Sequence, residues 1–381
     1  MAGNPLLELN QAGQSVWLDF LSRDIIRSGE LKRLSQEDGV CGVTSNPTIF
    51  QAAIEGSDIY DTQIKDLVER GVTEPKSIYE ALTTEDIREA ADILREAYDK
   101  SGGQDGFVSI EVSPELARDA QGSISEAKRL FAEIGRKNIF IKIPGVPEGA
   151  EAIEALIADG INVNVTLLFS VQRYEAVAVA YLKGIEKRIS AGKPVSEIRS
   201  VASFFVSRVD TLFDMMLNEK LPAAGTEIEE HRIMNLYGKV GVANCKLAYQ
   251  KYKELFLSTN FRLIREKGAN DQRLLWASTG TKNPKYSDIK YVEELIAPDT
   301  VNTMPLKTMT AFKDHGKVKA AIEQDIQDAR DVLEKLASIG INLEQATVQL
   351  EEEGVKKFSD SYNDVLGAIA RKVEGIKTKA A

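Results

Sequence analysis

The sequence predicts an α/β protein, specifically a closed (β/α)8, or TIM, barrel with extra C-terminal helices. Two observations predict it. Eight short β-rich runs follow one another along the chain, and amphipathic helical patterns separate most of them. Strands that alternate with helices form parallel sheets, and eight such units in about 250 residues or more are typical of a closed barrel. An open doubly wound sheet is the rival fold, but the sequence has neither a Gly-x-Gly-x-x-Gly segment after its first strand nor a Walker loop.

The predicted strands are short runs rich in apolar and β-branched residues. They cover residues 15–20, 39–45, 106–112, 138–144, 161–169, 200–206, 273–279 and 299–305. Runs of this length and composition are typical of strands. Each run is followed by a segment with a different pattern, so we expect each to contribute one strand to the barrel.

Two of the intervening helices are marked most clearly. Residues 84–101 carry apolar side chains at i, i+3, i+4, i+7 and i+11, and Thr83 with Asp86 resembles a capping box at the start. A Gly-Gly pair follows and is expected to end this helix. The second helix is expected to begin after an N-cap at Ser170 and to end near residue 192.

The chain, residues 1–381, is expected to form a single barrel domain with two additions. Residues 207–272 are longer than one helix requires between strands six and seven, and residues 217–232 have the composition of a surface insertion. Residues 317–381 are strongly helical and charged. We expect them to form a C-terminal extension that packs against the outside of the barrel or covers one end of it.

Composition and charge limit the possible functions. The chain is 43% hydrophobic and 28% charged, and it contains no apolar run close to the ~20 residues of a membrane helix. A formal net charge of −10 argues against a surface for nucleic acid or anionic membranes. The two cysteines are far apart in sequence, which is typical of a reducing cytoplasm. The chain also contains only two histidines. So few cysteines and histidines argue against a zinc site and against a Ser-His-Asp or Cys-His mechanism.

Polar side chains are concentrated at the carboxyl ends of the predicted strands, where the catalytic residues of a barrel lie. In strand order they are Asp19, Thr44, Asn46, Ser109, Glu111, Lys142, Asn164, Thr166, Ser203, Arg208, Ser278 and Lys282. Side chains alternate between the two faces of a strand, so Ser109 shares a face with Glu111 and Asn164 shares one with Thr166. Each of these residues has an ordinary structural explanation. The same pattern in six or seven consecutive strands predicts an active site at the mouth of the barrel.

Lys142 stands within an apolar stretch, residues 138–144. One interpretation is a strand-end lysine whose ammonium group extends into water. The alternative is a buried lysine that loses its proton and becomes a nucleophile. The stretch by itself is compatible with both.

Five segments together resemble the transaldolases, in the family's order and at the expected strand positions. They are residues 42–50, 108–112, 139–145, 164–170 and 202–210. The resemblance covers residues 14–315, and residues 274–288 with the helical tail resemble the longer bacterial subfamily. It implies a TIM barrel that needs neither a metal nor an organic cofactor.

The resemblance also implies a reaction. Transaldolases use a lysine Schiff base to move a dihydroxyacetone unit from a ketose phosphate to an aldose phosphate. The donors are sedoheptulose 7-phosphate or fructose 6-phosphate, and the acceptors are glyceraldehyde 3-phosphate or erythrose 4-phosphate. The reaction belongs to the non-oxidative pentose phosphate pathway. The expected partners are therefore sugar phosphates, without nucleic acid or membrane, in a cytoplasmic protein that is a monomer or a homodimer.

Four positions that match the family's motifs acquire catalytic roles by this resemblance. Lys142 is implied to form the Schiff base, and Asp19 to handle the hydroxyl proton during carbon–carbon cleavage. Glu111 and Thr166 are implied to hold a catalytic water.

The remaining matched positions are implied to bind the substrate. Those expected around the sugar are Thr44, Asn46, Ser109, Asn164, Ser203 and Phe205. Arg208 matches the family's phosphate-binding arginine. Shorter members have a second arginine after strand seven, whereas this loop has none, so we expect Lys282 to replace it with help from Ser278.

Two alternative functions stay open. The first is a lysine aldolase that resembles the fructose-6-phosphate aldolases and releases free dihydroxyacetone. Phe205 argues against it, because those aldolases place a tyrosine in the pocket. The second is a non-catalytic barrel that acts as a scaffold through its helical tail. The intact set of four catalytic positions argues against that alternative.

Overall fold

The computed structural model describes residues 3–380, and at its centre eight parallel strands form a closed barrel. The strands are β1 Gln14–Leu18, β2 Gly42–Thr44, β3 Phe107–Glu111, β4 Ile139–Pro144, β5 Val163–Leu168, β6 Ser200–Phe205, β7 Gln272–Ala277 and β8 Thr300–Met304. Each strand pairs with its neighbour in sequence, and β8 pairs with β1 to close the barrel. The predicted (β/α)8 fold is confirmed, with all eight strands at their predicted positions.

The helices lie between the strands and after the last one. They are α1 Pro5–Gln11, α2 Arg23–Arg27, α3 Glu30–Asp38, α4 Pro47–Glu55, α5 Asp61–Glu69, α6 Pro75–Ile93, α7 Arg95–Lys100, α8 Ala120–Ile134, α9 Gly149–Asp159, α10 Val171–Ser190, α11 Ser207–Lys220, α12 Glu227–Met234, α13 Val240–Phe256, α14 Thr259–Arg265, α15 Lys290–Glu293, α16 Leu306–His315, α17 Ile326–Ser338 and α18 Leu343–Ala380. Short 3-10 turns add Asp58–Tyr60, Pro114–Leu116 and Leu221–Ala223. Within residues 3–380, no helix has both the length and the apolar composition needed to cross a membrane.

Aromatic rings fill the middle of the barrel interior. The ring of Phe140 lies 4.3 Å from that of Phe107 and 6.0 Å from that of Trp17, measured between centroids. A Cβ atom at Gly42 would lie 2.3 Å from the indole of Trp17, so the glycine provides the space that this ring fills. Phe140 is two residues before Lys142 and shares its face of β4, so the aromatic rings form a floor beneath the lysine.

The predicted start of the helix at residue 84 is wrong. Helix α6 begins at Pro75, and the side chain of Glu74 caps it by accepting bonds from two backbone N–H groups. Thr83 is inside this helix and donates its hydroxyl to a preceding carbonyl. Asp86 is fully buried and accepts a 2.8 Å hydrogen bond from Arg23 Nε. Thr83 and Asp86 match a capping box in sequence, but the Asp86 carboxylate instead forms a buried ion pair with a residue distant in the chain.

The second predicted helix is confirmed as α10. Ser170 is its N-cap, and the hydroxyl oxygen accepts a 3.1 Å hydrogen bond from the backbone N–H of Arg173. The helix ends at Ser190, close to the expected residue 192.

Most of the residues between β6 and β7 are helical. The stretch 217–232, expected as an insertion, contains the end of α11, a 3-10 turn and most of α12, and nearly all its side chains are at least partly exposed.

The predicted C-terminal helices are confirmed as α17 and α18. Helix α18 has 38 residues, and its C-terminal half packs on the outside of the barrel against α4, α5 and α6. There the ring of Tyr362 meets Tyr79 edge to face at 5.2 Å. The middle of α18 crosses the carboxyl ends of the strands and brings Phe358 to the barrel mouth. The helix thus occupies both of the expected positions, the outside and one end.

Candidate active site

A cavity of about 340 Å³ lies at the carboxyl ends of the strands. Ten of the thirteen predicted site residues line it: Asp19, Thr44, Asn46, Lys142, Thr166, Ser203, Phe205, Arg208, Ser278 and Lys282. A larger groove of about 770 Å³ runs along α13 and α17 outside the barrel, but no predicted site residue lines it. The barrel mouth is therefore where the polar strand ends converge.

Two of the other three predicted residues form a hydrogen-bonded layer with a residue of the cavity wall. Asn164 donates to the hydroxyl of Ser109 at 3.1 Å and accepts from the hydroxyl of Ser203 at 2.7 Å. All three side chains are buried, and they belong to β3, β5 and β6. Because the amide is held from both sides, its orientation is fixed, and with it the position of the Ser203 hydroxyl.

Lys142 projects from β4 into this cavity and is 5% exposed, so it is not a strand-end lysine extended into bulk water. Its Nζ donates to the backbone carbonyl of Ser45 at 3.1 Å. In the described part of the chain it forms no salt bridge. Glu111 of β3 and Asn164 of β5 stand beside it in register. The amine is therefore held in place by a backbone carbonyl, with no carboxylate oxygen at ion-pair distance among the described residues.

Asp19 follows β1 and is held by a chain of hydroxyl groups. Thr44 Oγ1 donates to Asp19 Oδ1 at 2.6 Å, and Thr44 Oγ1 lies 2.7 Å from Thr303 Oγ1. A hydroxyl has a single proton, so Thr303 must donate to Thr44. Burial raises the pKa of the Asp19 carboxyl above its usual value, against the opposing effects of the Thr44 hydrogen bond and the charges of Lys142 and Arg208. A carboxylate of raised pKa is a stronger base.

Glu111, the thirteenth predicted residue, and Thr166 lie on the two strands that flank β4. Both carboxylate oxygens of Glu111 and the hydroxyl of Thr166 are buried and have no hydrogen-bond partner among residues 3–378. Burial raises the pKa of the Glu111 carboxyl, although the charges of Lys142 and Arg208 act in the opposite direction. Buried polar atoms of this kind are usually satisfied by ordered water, so the pair has the chemistry to hold one.

Three cations line the end of the cavity that is formed by the segments after β6, β7 and β8. Arg208 comes from the first turn of α11, Lys282 from the loop after β7, and Lys307 from the first turn of α16. Burial, followed by the charges of Arg208 and Lys357, lowers the pKa of Lys282 to about 8. Burial also lowers the pKa of Arg208, although a guanidinium stays protonated at any physiological pH. Cations packed this closely favour an anionic ligand.

Ser278 connects this end of the cavity to α11. Its backbone is in the left-handed region at φ 57°, which is strained for a residue other than glycine. Its hydroxyl is 2.8 Å from the hydroxyl of Ser207, the first residue of α11, and its carbonyl accepts the Ser207 N–H at 3.1 Å. The first turn of α11 has no side-chain cap among the described residues, and the positive end of its helix dipole adds to the positive potential around Arg208.

The loop carrying Lys282 is fixed to the helix carrying Arg208. Two aspartates of α11 each accept one backbone N–H and one tyrosine hydroxyl: Asp210 from Gly241 and Tyr291, and Asp214 from Gly238 and Tyr286. Tyr286 is four residues after Lys282, and its bond to Asp214 is 2.6 Å long. Two buried carboxylates that the sequence did not indicate thus join the segments that carry the two cations.

Eight further residues line the cavity, and among those that were missed are Thr303, Lys307, Thr308 and Phe358. Thr303 is near the end of β8 and follows the same pattern as the other strand-end residues, so the sequence did contain its signal. Phe358 belongs to α18, and its position depends on long-range packing that no local pattern indicates. Within residues 3–380, no group of three His, Cys, Asp or Glu side chains is arranged to hold a metal ion.

Known proteins resemble this chain over nearly its whole length. Residues 16–369 match the family model described as transaldolase/fructose-6-phosphate aldolase. Transaldolase 2 of Nostoc sp. (strain PCC 7120) is 49% identical over 377 residues, which are 98% of this chain and 99% of that protein. The transaldolase of Trichodesmium erythraeum is 47% identical over 379 residues, with the same coverage of both chains. That of Mycobacterium bovis (strain BCG / Pasteur 1173P2) is 49% identical over 368 residues, 96% of each chain.

The family expected from the five sequence segments is thereby confirmed. Transaldolases are transferases, which agrees with the predicted class of enzyme. The chain belongs to the transaldolase/fructose-6-phosphate aldolase family, as a transaldolase of the longer bacterial type.

Proposed function

We propose that the enzyme transfers a dihydroxyacetone unit from sedoheptulose 7-phosphate or fructose 6-phosphate to an aldose phosphate, through a Schiff base on Lys142. The observation that carries this proposal is the buried amine of Lys142, free of a salt bridge within the described chain, in a cavity that is also lined by Asp19 and by three cations. The reaction belongs to the non-oxidative pentose phosphate pathway. Both cysteines are free, which fits a reducing cytoplasm.

The first half of the reaction forms and uses an iminium. The neutral amine of Lys142 attacks the ketone carbon, and loss of water gives the iminium, which accepts electrons far better than the ketone. Asp19 removes the proton of the C4 hydroxyl, the C3–C4 bond breaks, and its electron pair moves to the iminium nitrogen. The products are a free aldose phosphate and an enamine on Lys142.

Glu111 and Thr166 support the proton transfers that make and break the iminium. We assign to them a water held by the otherwise unpartnered oxygens of both side chains. Through it Glu111 gives a proton to the hydroxyl that leaves the carbinolamine and takes one back when the iminium is hydrolysed. General acid–base steps of this kind typically contribute ~10²–10⁴-fold each.

The second half reverses these steps on the acceptor. The enamine carbon attacks the aldehyde of glyceraldehyde 3-phosphate or erythrose 4-phosphate, and Asp19 returns its proton to the new C4 oxygen. Water then adds to the iminium and releases the new ketose phosphate. The layer of Ser109, Asn164 and Ser203 lies beside Lys142, where the hydroxyl groups of the three-carbon unit need partners.

The overall activity is tested by supplying fructose 6-phosphate with and without erythrose 4-phosphate. We expect sedoheptulose 7-phosphate and glyceraldehyde 3-phosphate to form when both sugars are present. With fructose 6-phosphate alone, an aldolase would release dihydroxyacetone steadily, whereas a transaldolase stops after loading its lysine. Steady release at the rate of transfer would support the aldolase alternative.

Arg208→Ala and Lys282→Ala should each impair phosphorylated donors far more than unphosphorylated ones. A charge-assisted contact is worth ~1.5–3 kcal/mol, or roughly ten- to a hundred-fold in kcat/KM. Loss of Arg208 should cost more, because a guanidinium binds two phosphate oxygens at once. The measurement compares fructose 6-phosphate with fructose in each variant. If Lys282→Ala lowers both donors equally, or neither, the phosphate contact belongs elsewhere, and Ser278 with the backbone near Gly280 is the next candidate.

The lowered pKa of Lys282 predicts a pH dependence of phosphate recognition. Lysine is charged below its pKa, so this contact should be complete at pH 7 and should weaken as the pH rises through about 8. The ratio of kcat/KM for fructose 6-phosphate to that for fructose isolates the effect, since both donors share the other titrations. Lys282→Arg keeps its charge and should remove this decline. A ratio that stays constant from pH 7 to 9 in the unmodified enzyme would contradict the assignment.

A further inference from the structure

Phe358 forms an apolar roof over the reaction site, and it comes from α18 rather than from a barrel strand or its loop. Its ring is 4% exposed, with the centroid 6.0 Å from Nζ of Lys142 and 5.7 Å from Cζ of Arg208. It belongs to the same apolar cluster as Phe169 and Phe205, whose rings are 5.0 Å apart. The ring therefore lies near both the nucleophile and the cationic end of the cavity.

The contact of α18 with β5 brings this ring so close to the lysine. One turn before Phe358, a Cβ atom at Gly354 would lie 2.9 Å from Leu167 Cδ2 and 3.6 Å from Nη1 of Arg208. Leu167 has φ 61°, and the register of β5 shifts between Val165 and Leu168. Gly354 leaves space for the Leu167 side chain at the irregular end of β5. Helix α18 can therefore approach the barrel mouth closely.

Polar contacts hold α18 on both sides of this point. Before it, Glu351 accepts a 3.0 Å hydrogen bond from Arg173 Nε, and the pair is largely buried. After it, the hydroxyl of Ser361 is 2.9 Å from that of Thr48, at the start of α4. The roof is thus a fixed part of the described structure.

The proposed reaction creates a need for such a roof. After the first aldose phosphate leaves, the enamine on Lys142 must wait for its acceptor. If water reaches it, a proton adds to C3, water adds to C2 of the resulting iminium, and the C2–N bond breaks. One water is consumed, free dihydroxyacetone is released, and the lysine amine is restored, so the transfer is lost. An aromatic ring can neither donate a proton nor hold a water by a strong hydrogen bond.

We propose that Phe358 determines the choice between transfer and hydrolysis by keeping bulk water, as distinct from the water assigned to Glu111 and Thr166, away from the enamine. This inference rests on the proposed role of Lys142 as the carrier of the three-carbon unit. It gives α18 a chemical task at the site: the helix selects an aldose phosphate over water as the acceptor.

The test measures two rates in Phe358→Ala: release of dihydroxyacetone from fructose 6-phosphate alone, and formation of sedoheptulose 7-phosphate when erythrose 4-phosphate is added. The ratio of release to transfer should rise several-fold. Phe358→Leu, which keeps most of the apolar volume, should stay near the unmodified ratio. A folded Phe358→Ala with an unchanged ratio would overturn the inference.

Two further variants make the result specific. Gly354→Leu keeps the phenyl ring but places a whole side chain where a Cβ atom alone would lie 2.9 Å from Leu167 Cδ2, so it should displace α18 and raise the ratio too. It decides the question if Phe358→Ala does not fold. Tyr362→Ala removes a buried ring from the same helix outside the cavity, 5.2 Å from Tyr79, and should leave the ratio unchanged. An equal rise in Tyr362→Ala would show general loosening of α18 and would refute a local role for Phe358.

Borohydride trapping distinguishes failure of the proposed function from failure of the inference about Phe358. If the unmodified enzyme gives no adduct on Lys142 with fructose 6-phosphate, the proposed function fails. If the adduct forms and the ratio does not respond to Phe358→Ala, only this inference fails.

Discussion

Lys142→Ala should abolish both turnover and the covalent trapping of substrate, with the fold intact. The residue is buried at the barrel mouth, and no other lysine projects from within a barrel strand among those described. Without the amine no iminium forms. Nothing then accepts the electron pair of the C3–C4 bond, so the bond does not break. The measurement is the protein mass after incubation with fructose 6-phosphate and reduction by borohydride. The unmodified enzyme should gain a sugar adduct, and the variant should gain none.

Two matched variants make this result specific. Lys142→Arg should be equally inactive, because a guanidinium remains charged and cannot form an imine. Lys137→Ala removes an exposed lysine just before the same strand, where it pairs with Glu197, and should trap substrate normally. An adduct that persists on Lys142→Ala would show that another amine carries the substrate.

Asp19→Ala should still form the Schiff base but fail to break the carbon–carbon bond. The carboxylate is on a different strand from the lysine, so its loss leaves the nucleophile in place. We expect the trapped adduct to retain all six carbons of fructose 6-phosphate. Release of glyceraldehyde 3-phosphate should fall by ~10²–10⁴-fold, as is typical when a general base is removed.

Asp19→Asn is the closest control for this experiment. An amide oxygen can still accept the hydrogen bond from Thr44, so the local packing and the hydroxyl chain from Thr303 are kept. An amide is not a base at neutral pH, so this variant should be as slow in cleavage as Asp19→Ala. Cleavage at the unmodified rate in either variant would mean that a different group takes the C4 proton.

The barrel could be predicted from the sequence because of how its strands are buried. A strand such as β4, with helices outside and side chains inside, is covered on both faces and forms one apolar run. Polar residues that interrupt such runs at their ends stand out, and this is why Asp19, Lys142 and Thr166 were found. Their chemical roles came from the family resemblance and stay predictions.

What the sequence did not reveal depends on contacts distant in the chain. Thr83 and Asp86 match a capping box locally, but the buried charge of Arg23 gives the aspartate a different partner. Phe358 is one of several apolar residues on a long amphipathic helix, and nothing in that helix indicates which part of the barrel it will meet. The tyrosine partners of Asp210 and Asp214 were missed for the same reason, since they lie about 70 to 80 residues further along the chain.

The path of α18 also affects how the protein folds. Ser361 meets Thr48, and Lys372 pairs with Asp61, across sequence separations of more than 300 residues. Contacts between residues so far apart in the chain form late and slowly. During synthesis they form only after α18 has left the ribosome. In a nascent barrel with all eight strands paired, Lys142 would therefore be in place but not covered by α18. The apolar surface that α18 later covers would be exposed, where it can aggregate or bind chaperones. With the role that we propose for Phe358, the choice between transfer and hydrolysis is established only after the barrel has closed.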